Sequence, residues 1–152
     1  MNALEHFAFW ETDVRPYLLD VLRVMPAEKW DFAPVPEIMT FRRMALHIAD
    51  AEEGWRQVAL AELTEWPEYP DSKYAKPEDA ICLLGEIHQR TVELLQSKPA
   101  SWLDDTTKIW DKYTVTYRWI FLHVLEHEIH HRAQMLTYLR LVGIVPPNYG
   151  PE

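Results

Sequence analysis

The sequence predicts an all-α protein, a four-helix bundle with long connections between its helices. Two observations predict this class. Apolar side chains recur every three or four residues in four long stretches, which is the spacing of an amphipathic helix. Most of the eleven prolines cluster between those stretches, where they would separate one helix from the next. A length of 152 residues fits one domain, so we expect residues 1–152 to form a single bundle.

The first predicted helix runs from about Asn2 to Met25, and the second runs from about Thr40 to Leu63. Pro16 lies inside the first stretch, where it removes one backbone hydrogen bond and is expected to kink the helix. Thr40 directly precedes the apolar stripe of the second stretch and is expected to be its N-cap. Each helix would be roughly 30–40 Å long, which is enough for side-by-side packing in a bundle.

The third predicted helix runs from about Pro77 to Gln96, with its proline suited to the first turn. The fourth runs from about Thr116 to Val142, and Gly143 is the expected C-cap. The segment between them, residues 101–115, contains aromatic residues but no helical stripe. It is expected to be either irregular or a short pair of β-strands, and no other part of the sequence indicates a sheet.

The net charge and the cysteine content limit which binding partners and which cellular compartment we expect for this protein. The net charge is −9, so the protein repels both phosphate backbones and anionic lipids, and we expect neither nucleic-acid nor membrane binding. Cys82 is the only cysteine, which excludes an internal disulfide and suits a reducing cytoplasm. The N-terminus lacks the pattern of a signal peptide, and no run of 18 apolar residues occurs. A cytoplasmic protein is therefore expected.

Four of the seven histidines lie in a single stretch of nine residues, 123–131, inside the last predicted helix. On a helical wheel, His131 falls only about 40° from His127, so both lie on the buried stripe one turn apart. His130 falls about 60° to the other side and should point outward. His123 is about 12 Å from His131 along the helix axis, too far for both to bind one ion. Two buried imidazoles need a partner, and a shared metal ion supplies one.

A third ligand has to come from another helix. His47 lies on the second helix beside small residues that leave room for a pocket, although its position alone does not distinguish a ligand from a hydrogen-bonded core histidine. His88, on the apolar stripe of the third helix, is expected to be structural, and His6 to be structural or exposed. Partners that orient imidazole N–H groups usually surround such ligands. The candidates for this role are Asp50, Glu126 and Gln134.

The same residues also match the H-E-x-x-H pattern of zinc proteases, with Glu128 as the catalytic base between His127 and His131. Such enzymes usually require a third ligand downstream and a strand that holds the peptide substrate. No histidine follows His131, and the only carboxylate after it is that of Glu152. The sequence therefore disfavours a zinc hydrolase of this kind without excluding it.

These motifs resemble the DinB/YfiT-like family of metalloenzymes in the DinB superfamily. The segment LHVLEHEIHHRAQMLTYLR resembles the H-x3-H-x-R-G-Q signature of the family, and MTFRRMALHIADAEEGW resembles its other conserved stretch, which carries a single histidine. The ending LVGIVPPNYG is similar to the exit from the family's last helix. The resemblance extends from about Met1 to Pro147. One departure is Ala133, where the family often has glycine, and it affects helix packing rather than the site.

The resemblance implies an antiparallel four-helix bundle, often a homodimer. It implies His47, His127 and His131 as ligands of a divalent metal ion, with Zn²⁺ first and Ni²⁺ next, and His130 as a neighbour that does not bind the ion. Some relatives are S-transferases or isomerases that use a low-molecular-weight thiol, so the first hypothesis is a metal-dependent transferase acting on small electrophiles. The second is a non-catalytic, metal-stabilised helical dimer with a role in stress response. No catalytic residue beyond the ligands follows from the sequence.

Overall fold

The computed structural model describes residues 1–150, and it has the predicted mainly helical architecture. Four α-helices follow one another along the chain: α1 (Arg15–Val24), α2 (Phe41–Ala59), α3 (Pro77–Ser97) and α4 (Tyr117–Leu141). Glu152, the only carboxylate expected downstream of the last helix, lies outside the described residues. Among residues 1–150, no helix is both long and apolar enough to cross a lipid bilayer.

The first predicted helix is not one uniform α-helix. It begins with a 3-10 turn at Ala3–Phe7, passes through a π-helical turn at Trp10–Val14 and continues as α1. Pro16 falls in the first turn of α1, immediately after the π-helical turn. The helix therefore changes type immediately before the residue that lacks a backbone N–H, at the position where the sequence predicts a kink.

The ends of α2 and α4 are set largely by local side chains. The hydroxyl oxygen of Thr40 accepts a hydrogen bond from the backbone N–H of Arg43 at 3.0 Å, which confirms the predicted N-cap. The helix ends at Ala59, four residues before the predicted end, because Ala61 adopts a left-handed conformation with φ of 56°. Gly143 follows α4 with φ of 82°, a conformation that glycine adopts without strain.

The segment between α3 and α4 contains a short β-hairpin, so the second of the two expected alternatives is correct. Strand β1 (Thr106–Ile109) pairs antiparallel with β2 (Tyr113–Thr116), with Thr106 opposite Thr116. Trp110 and Asp111 both have positive φ, as a tight hairpin turn of the type I′ family requires. This hairpin folds back toward the start of α4.

Helix α2 is the centre of the bundle because it packs against both α3 and α4. The buried apolar side chains form two clusters, one toward each end of the bundle. Each helix carries buried polar side chains at the point in its sequence where one cluster gives way to the other. These polar side chains form the middle layer of the bundle: Arg15 on α1, Glu52 on α2, His88 on α3, and Glu128 and His131 on α4.

Candidate metal centre

Three histidines from two packed helices meet at one point of the middle layer. His47 lies on α2, and His127 and His131 lie one turn apart on α4. The Nε2 atoms of His47 and His127 are 3.0 Å apart, and the potential ligand atoms of all three rings lie within 4.8 Å of one another. A tetrahedral ion with metal–nitrogen bonds of ~2.0–2.1 Å sets its ligand atoms roughly 3.4 Å apart. Small side-chain rotations are therefore enough for the triad to enclose one ion.

The environment of the triad keeps the imidazoles in the neutral form that binds metals. Burial lowers the pKa of His47, with the charges of His131 and Arg43 adding to the effect. Burial also lowers the pKa of His127 to about 3, and His131 and His47 are the next largest causes. The pKa of His131 is lowered mainly by burial. At neutral pH the three rings are uncharged, so a cation does not have to displace protons from them.

Gln134 sets the orientation of one of these rings. Its amide oxygen lies 2.8 Å from Nδ1 of His131, and because that oxygen can only accept, Nδ1 must carry the hydrogen. The lone pair of His131 is then on Nε2. The amide nitrogen of the same glutamine lies 3.4 Å from Nε2 of His130. Of the three side chains expected to orient an imidazole, Gln134 is the one that contacts a ring of the triad.

The other two candidates lie elsewhere. Asp50 is buried, but its carboxylate accepts hydrogen bonds from the guanidinium of Arg43 at 2.7 Å and from the backbone N–H of Tyr69 at 2.7 Å. Its carboxylate therefore fixes the segment after α2 rather than an imidazole. Glu126 is exposed, and no hydrogen bond of the described residues involves its side chain. Asp50 is kept from the triad by these two partners, and Glu126 lies about 100° around α4 from His127, so neither contacts a ring of the triad.

The remaining histidines are placed as the helical wheel predicts. His130 is exposed, and its ring meets that of His131 edge to face. His123 stacks on the ring of Trp119 with their planes 4° apart, one turn before the triad. His6 is exposed. His88 is buried and structural, and its ring nitrogens face two carboxylates rather than the triad.

A buried ion network lies beside the triad in the same layer. The guanidinium of Arg15 contacts Glu128 through two hydrogen bonds, at 3.0 and 2.7 Å, and also pairs with Glu52. It donates a further hydrogen bond to the backbone oxygen of Leu84, so one side chain links all four helices. His88 bonds to Glu52 at 2.7 Å and, through its other nitrogen, to Glu11.

The charges in this network hold one another in the ionised form. Burial alone would raise the pKa of Glu52, but Arg15 and His88 outweigh it and lower that pKa to about 2. Burial opposes the charge of Arg15 as well, yet Glu128 and Glu52 raise the pKa of the guanidinium above its usual value. Arg15 and Glu52 are therefore both charged at neutral pH, and their side chains, like that of Glu128, are almost inaccessible to water.

Glu128 is the residue that the H-E-x-x-H pattern would use as a base. Both of its oxygens are occupied, one by Arg15 and the other by Arg15 together with the indole N–H of Trp10 at 2.7 Å. Its side chain is 1% exposed. Because a general base must be able to reach a water molecule and take its proton, this placement argues against the zinc-hydrolase alternative.

A cleft of about 590 Å³ opens beside the triad. One wall is the C-terminal half of α4, beginning at His131, and the other is the connection between α1 and α2, residues 34–39. The hydroxyl group of Tyr138 donates a hydrogen bond to the backbone oxygen of Met39 at 2.8 Å and so ties the two walls together. The volume lies within the range typical of small-molecule sites.

No tryptophan of the described residues lines this cleft. Within residues 1–150, Tyr138 is its one aromatic wall residue besides His131. Four of the seven tryptophans form a separate cluster around the buried ring of Trp55. Its ring meets three other indole rings edge to face, with centroids 5.7–5.8 Å apart: Trp66, Trp110 and Trp119.

Sequence reasoning missed the ion network. A signal was present, because Arg15, Glu52 and Glu128 are charged residues that interrupt apolar helical stripes. Buried charges of this kind are almost always paired. Which charges pair could not be inferred, since Arg15 and Glu128 are 113 positions apart in the sequence.

The comparisons with known proteins agree with this architecture. The model of the DinB family matches residues 1–150. A DinB-like protein of known structure from Bacillus cereus has a TM-score of 0.82 at 21% identity, covering 99% of this chain and 100% of that one. A DinB-like protein from Bacillus subtilis has a TM-score of 0.71 at 20% identity, covering 92% and 94%. At this identity the two structures show the shared fold alone. No curated protein matches the chain.

Proposed function

The chain belongs to the DinB family, and from that premise we propose that it is a metal-dependent enzyme in which His47, His127 and His131 hold one divalent cation. Zn²⁺ is the first candidate and Ni²⁺ the second, since neutral imidazoles suit both ions. The chemistry of the donor set supports this, because three uncharged rings converge and one of them has its hydrogen fixed on the far nitrogen by Gln134.

The observation that carries the proposal is the cleft that begins at His131. A structural metal site is closed by four protein ligands, whereas a catalytic site has three and keeps a position open. Here three protein ligands converge, and a cavity large enough for a small molecule adjoins one of them. This favours an enzyme over a non-catalytic, metal-stabilised dimer, in which the coordination sphere would be closed or buried.

We propose that the reaction is the transfer of a low-molecular-weight thiol to a small electrophile. When bound, the cation supplies a positive charge that favours loss of the proton from a thiol or a water molecule. In the transfer, the sulfur forms a bond to the electrophilic carbon, the bond to the leaving group breaks, and the leaving group departs with the electron pair. The proton of the thiol goes to solvent.

The residues of the chain contribute by placing the reactants. His131 is the ligand that reaches the cleft, and Gln134 holds its ring by the bond to Nδ1. The apolar side chains of the two walls exclude water from the electrophile, which limits its hydrolysis. Tyr138 keeps the wall formed by residues 34–39 against α4.

The test is turnover of chlorodinitrobenzene with each of three thiols: glutathione, bacillithiol and mycothiol. We expect the zinc- or nickel-loaded protein to accelerate the release of chloride with at least one of them. The His127→Ala variant should lose this activity because it lacks one ligand, whereas His130→Ala, a matched change on the same helix, should retain it. A rate no higher than the uncatalysed one with all three thiols would contradict the proposal.

A further inference from the structure

We propose that the cleft beside His131 binds an elongated, uncharged, apolar molecule whose reactive carbon lies at the histidine end. The position of that carbon rests on the proposed function. The binding of an apolar molecule does not, because it depends only on the shape and chemistry of the walls.

The length of the site follows from the spacing of its wall residues on α4. His131, Gln134, Tyr138 and Leu141 all line the cleft, and they lie on successive turns of one face of the helix. Ten residues separate the first from the last, which corresponds to about 15 Å along the axis. A cavity of about 590 Å³ that extends this far is a groove suited to a chain rather than a compact pocket.

The walls are apolar for most of that length. Met44 from α2 and Leu141 from α4 face the connection residues Pro34, Ile38 and Met39 across the cleft. Methionine side chains are flexible and polarisable, so two of them adapt to chains of different shape. Two of the polar wall residues, His131 and Gln134, lie together at the end next to the triad, and the hydroxyl group of Thr137 lies further along α4.

The charges around the cleft indicate that its ligand is neutral. Among the described residues that line it, none is a lysine or arginine, and Glu37 is its one carboxylate. The whole chain carries a net charge of −9. A thiol co-substrate that bears a carboxylate would be repelled here, so the cleft fits the electrophile, and the thiol has to approach the triad from another side.

The test is equilibrium displacement of the neutral fluorescent probe N-phenylnaphthylamine from the full chain by straight-chain primary alcohols. We expect the affinity to rise about three- to fourfold for each added methylene, as burial of apolar surface requires. The rise should stop once the alcohol exceeds the ~15 Å length of the groove. Decanoate should bind more weakly than decanol because of its charge.

Two matched variants locate the binding. Thr137 is exposed on the cleft wall, and Thr137→Trp should fill the groove and weaken decanol binding at least about tenfold. Gln89→Trp introduces the same side chain at an exposed position on α3 and should leave the dissociation constant unchanged. Methyl NMR signals of Met39 and Met44 in the wild-type chain should shift as decanol is added.

The inference is wrong if affinity does not depend on chain length, if decanoate binds more tightly than decanol, or if Thr137→Trp binds decanol as the wild type does. His127→Ala should bind the probe and decanol normally, since these measurements need neither metal nor turnover. Absence of thiol transfer by the metal-loaded wild-type protein, together with length-dependent binding of alcohols, would therefore contradict the proposed function alone. Intact thiol transfer without length-dependent binding would contradict this inference alone.

Discussion

The protonation of single side chains determines what the middle layer of this bundle can bind. The three imidazoles of the triad are buried close to one another, and burial lowers the pKa of each. In the same layer, the guanidinium of Arg15 pairs with two carboxylates, those of Glu52 and Glu128. The triad is thus the part of the layer where neutral nitrogen lone pairs are free to accept a cation, whereas the charged side chains of the network already pair with one another.

Gln134 should affect metal affinity although it is not a ligand. Gln134→Ala removes the oxygen that accepts the hydrogen of His131 Nδ1, so the ring loses its fixed orientation. We expect the affinity for Zn²⁺ to fall about 10- to 100-fold, as is usual when such a partner is removed. Competition with a chromophoric chelator measures this, and Gln134→Glu, which keeps an acceptor, should largely restore the affinity. An unchanged affinity in Gln134→Ala would show that the bond has no role in binding.

Glu128 should matter for stability, not for proton transfer. Glu128→Ala leaves Arg15 without its bidentate partner in a site shielded from water. The free energy of unfolding, measured in urea, should fall by about 3–5 kcal/mol. Glu126→Ala, a change of the same type at an exposed position two residues away, should alter it by less than about 0.5 kcal/mol. Equal effects of the two substitutions would contradict the assigned role of the network.

At the scale of single residues, the sequence correctly predicted the features that depend on the geometry of one helix alone. His127 and His131 follow from helical spacing because both lie on the same stripe of α4, and His130 is exposed for the same reason. His47 was only a candidate until the family resemblance singled it out, since its approach to α4 depends on how two helices pack. Asp50 does not orient an imidazole as expected, because Arg43, two turns before it on the same face of α2, binds its carboxylate.

At the scale of the elements, local signals determined most helix ends. Thr40 and Pro77 mark the starts of α2 and α3 as predicted, because capping and first-turn proline act within a few residues. The early end of α2 was not predictable, since the sequence around Ala61 does not contain the glycine or asparagine that usually marks a left-handed residue. The π-helical turn before Pro16 was likewise missed, because periodicity predicts an apolar face and does not distinguish helix types.

Two helical glycines provide a matched test of packing. A Cβ atom on Gly54 of α2 would lie 2.6 Å from the ring of Trp66, whereas one on Gly85 of α3 would meet nothing within 4 Å. Gly54→Ala should therefore lower the free energy of unfolding by about 1–3 kcal/mol, because the indole has to leave its contact with Trp55. Gly85→Ala should raise it by about 0.5–1 kcal/mol, because alanine is the better helix former.

Urea unfolding of both variants at neutral pH measures the difference, with the midpoint and the slope compared separately. Stabilisation by Gly54→Ala would show that Trp66 does not pack closely on α2. Destabilisation by Gly85→Ala would contradict the prediction, because it would show that this face of α3 is packed against another group and is not open to solvent.

At the scale of the whole molecule, the bundle consists of two apolar clusters joined by one polar layer. Arg15 alone contacts α2, α3 and α4 from its place on α1, so the layer connects every helix at the level of the triad. The geometry of the triad therefore depends on the same contacts that hold the helices together. We propose that residues 1–152 fold as one cooperative domain for this reason.

The ion network predicts how stability depends on pH. The pKa of Glu52 is about 2 in the folded protein and 4.5 as its ordinary value, so its carboxylate stabilises the fold above pH 4.5. That contribution is lost as the pH falls from 4.5 through about 2. Urea unfolding at a series of pH values should show a steeper loss of stability in this window for the wild type than for Glu52→Gln. The same slope in both proteins would contradict the prediction.

The metal content of the protein tests the central claim most directly. Mass spectrometry on protein produced without an affinity tag, in medium containing zinc and nickel, should find about one equivalent of divalent metal per chain. His130→Ala should retain that equivalent, whereas His127→Ala should contain less than about a tenth of it. A wild-type content below about a tenth of an equivalent, or a content that His127→Ala leaves unchanged, would contradict the account.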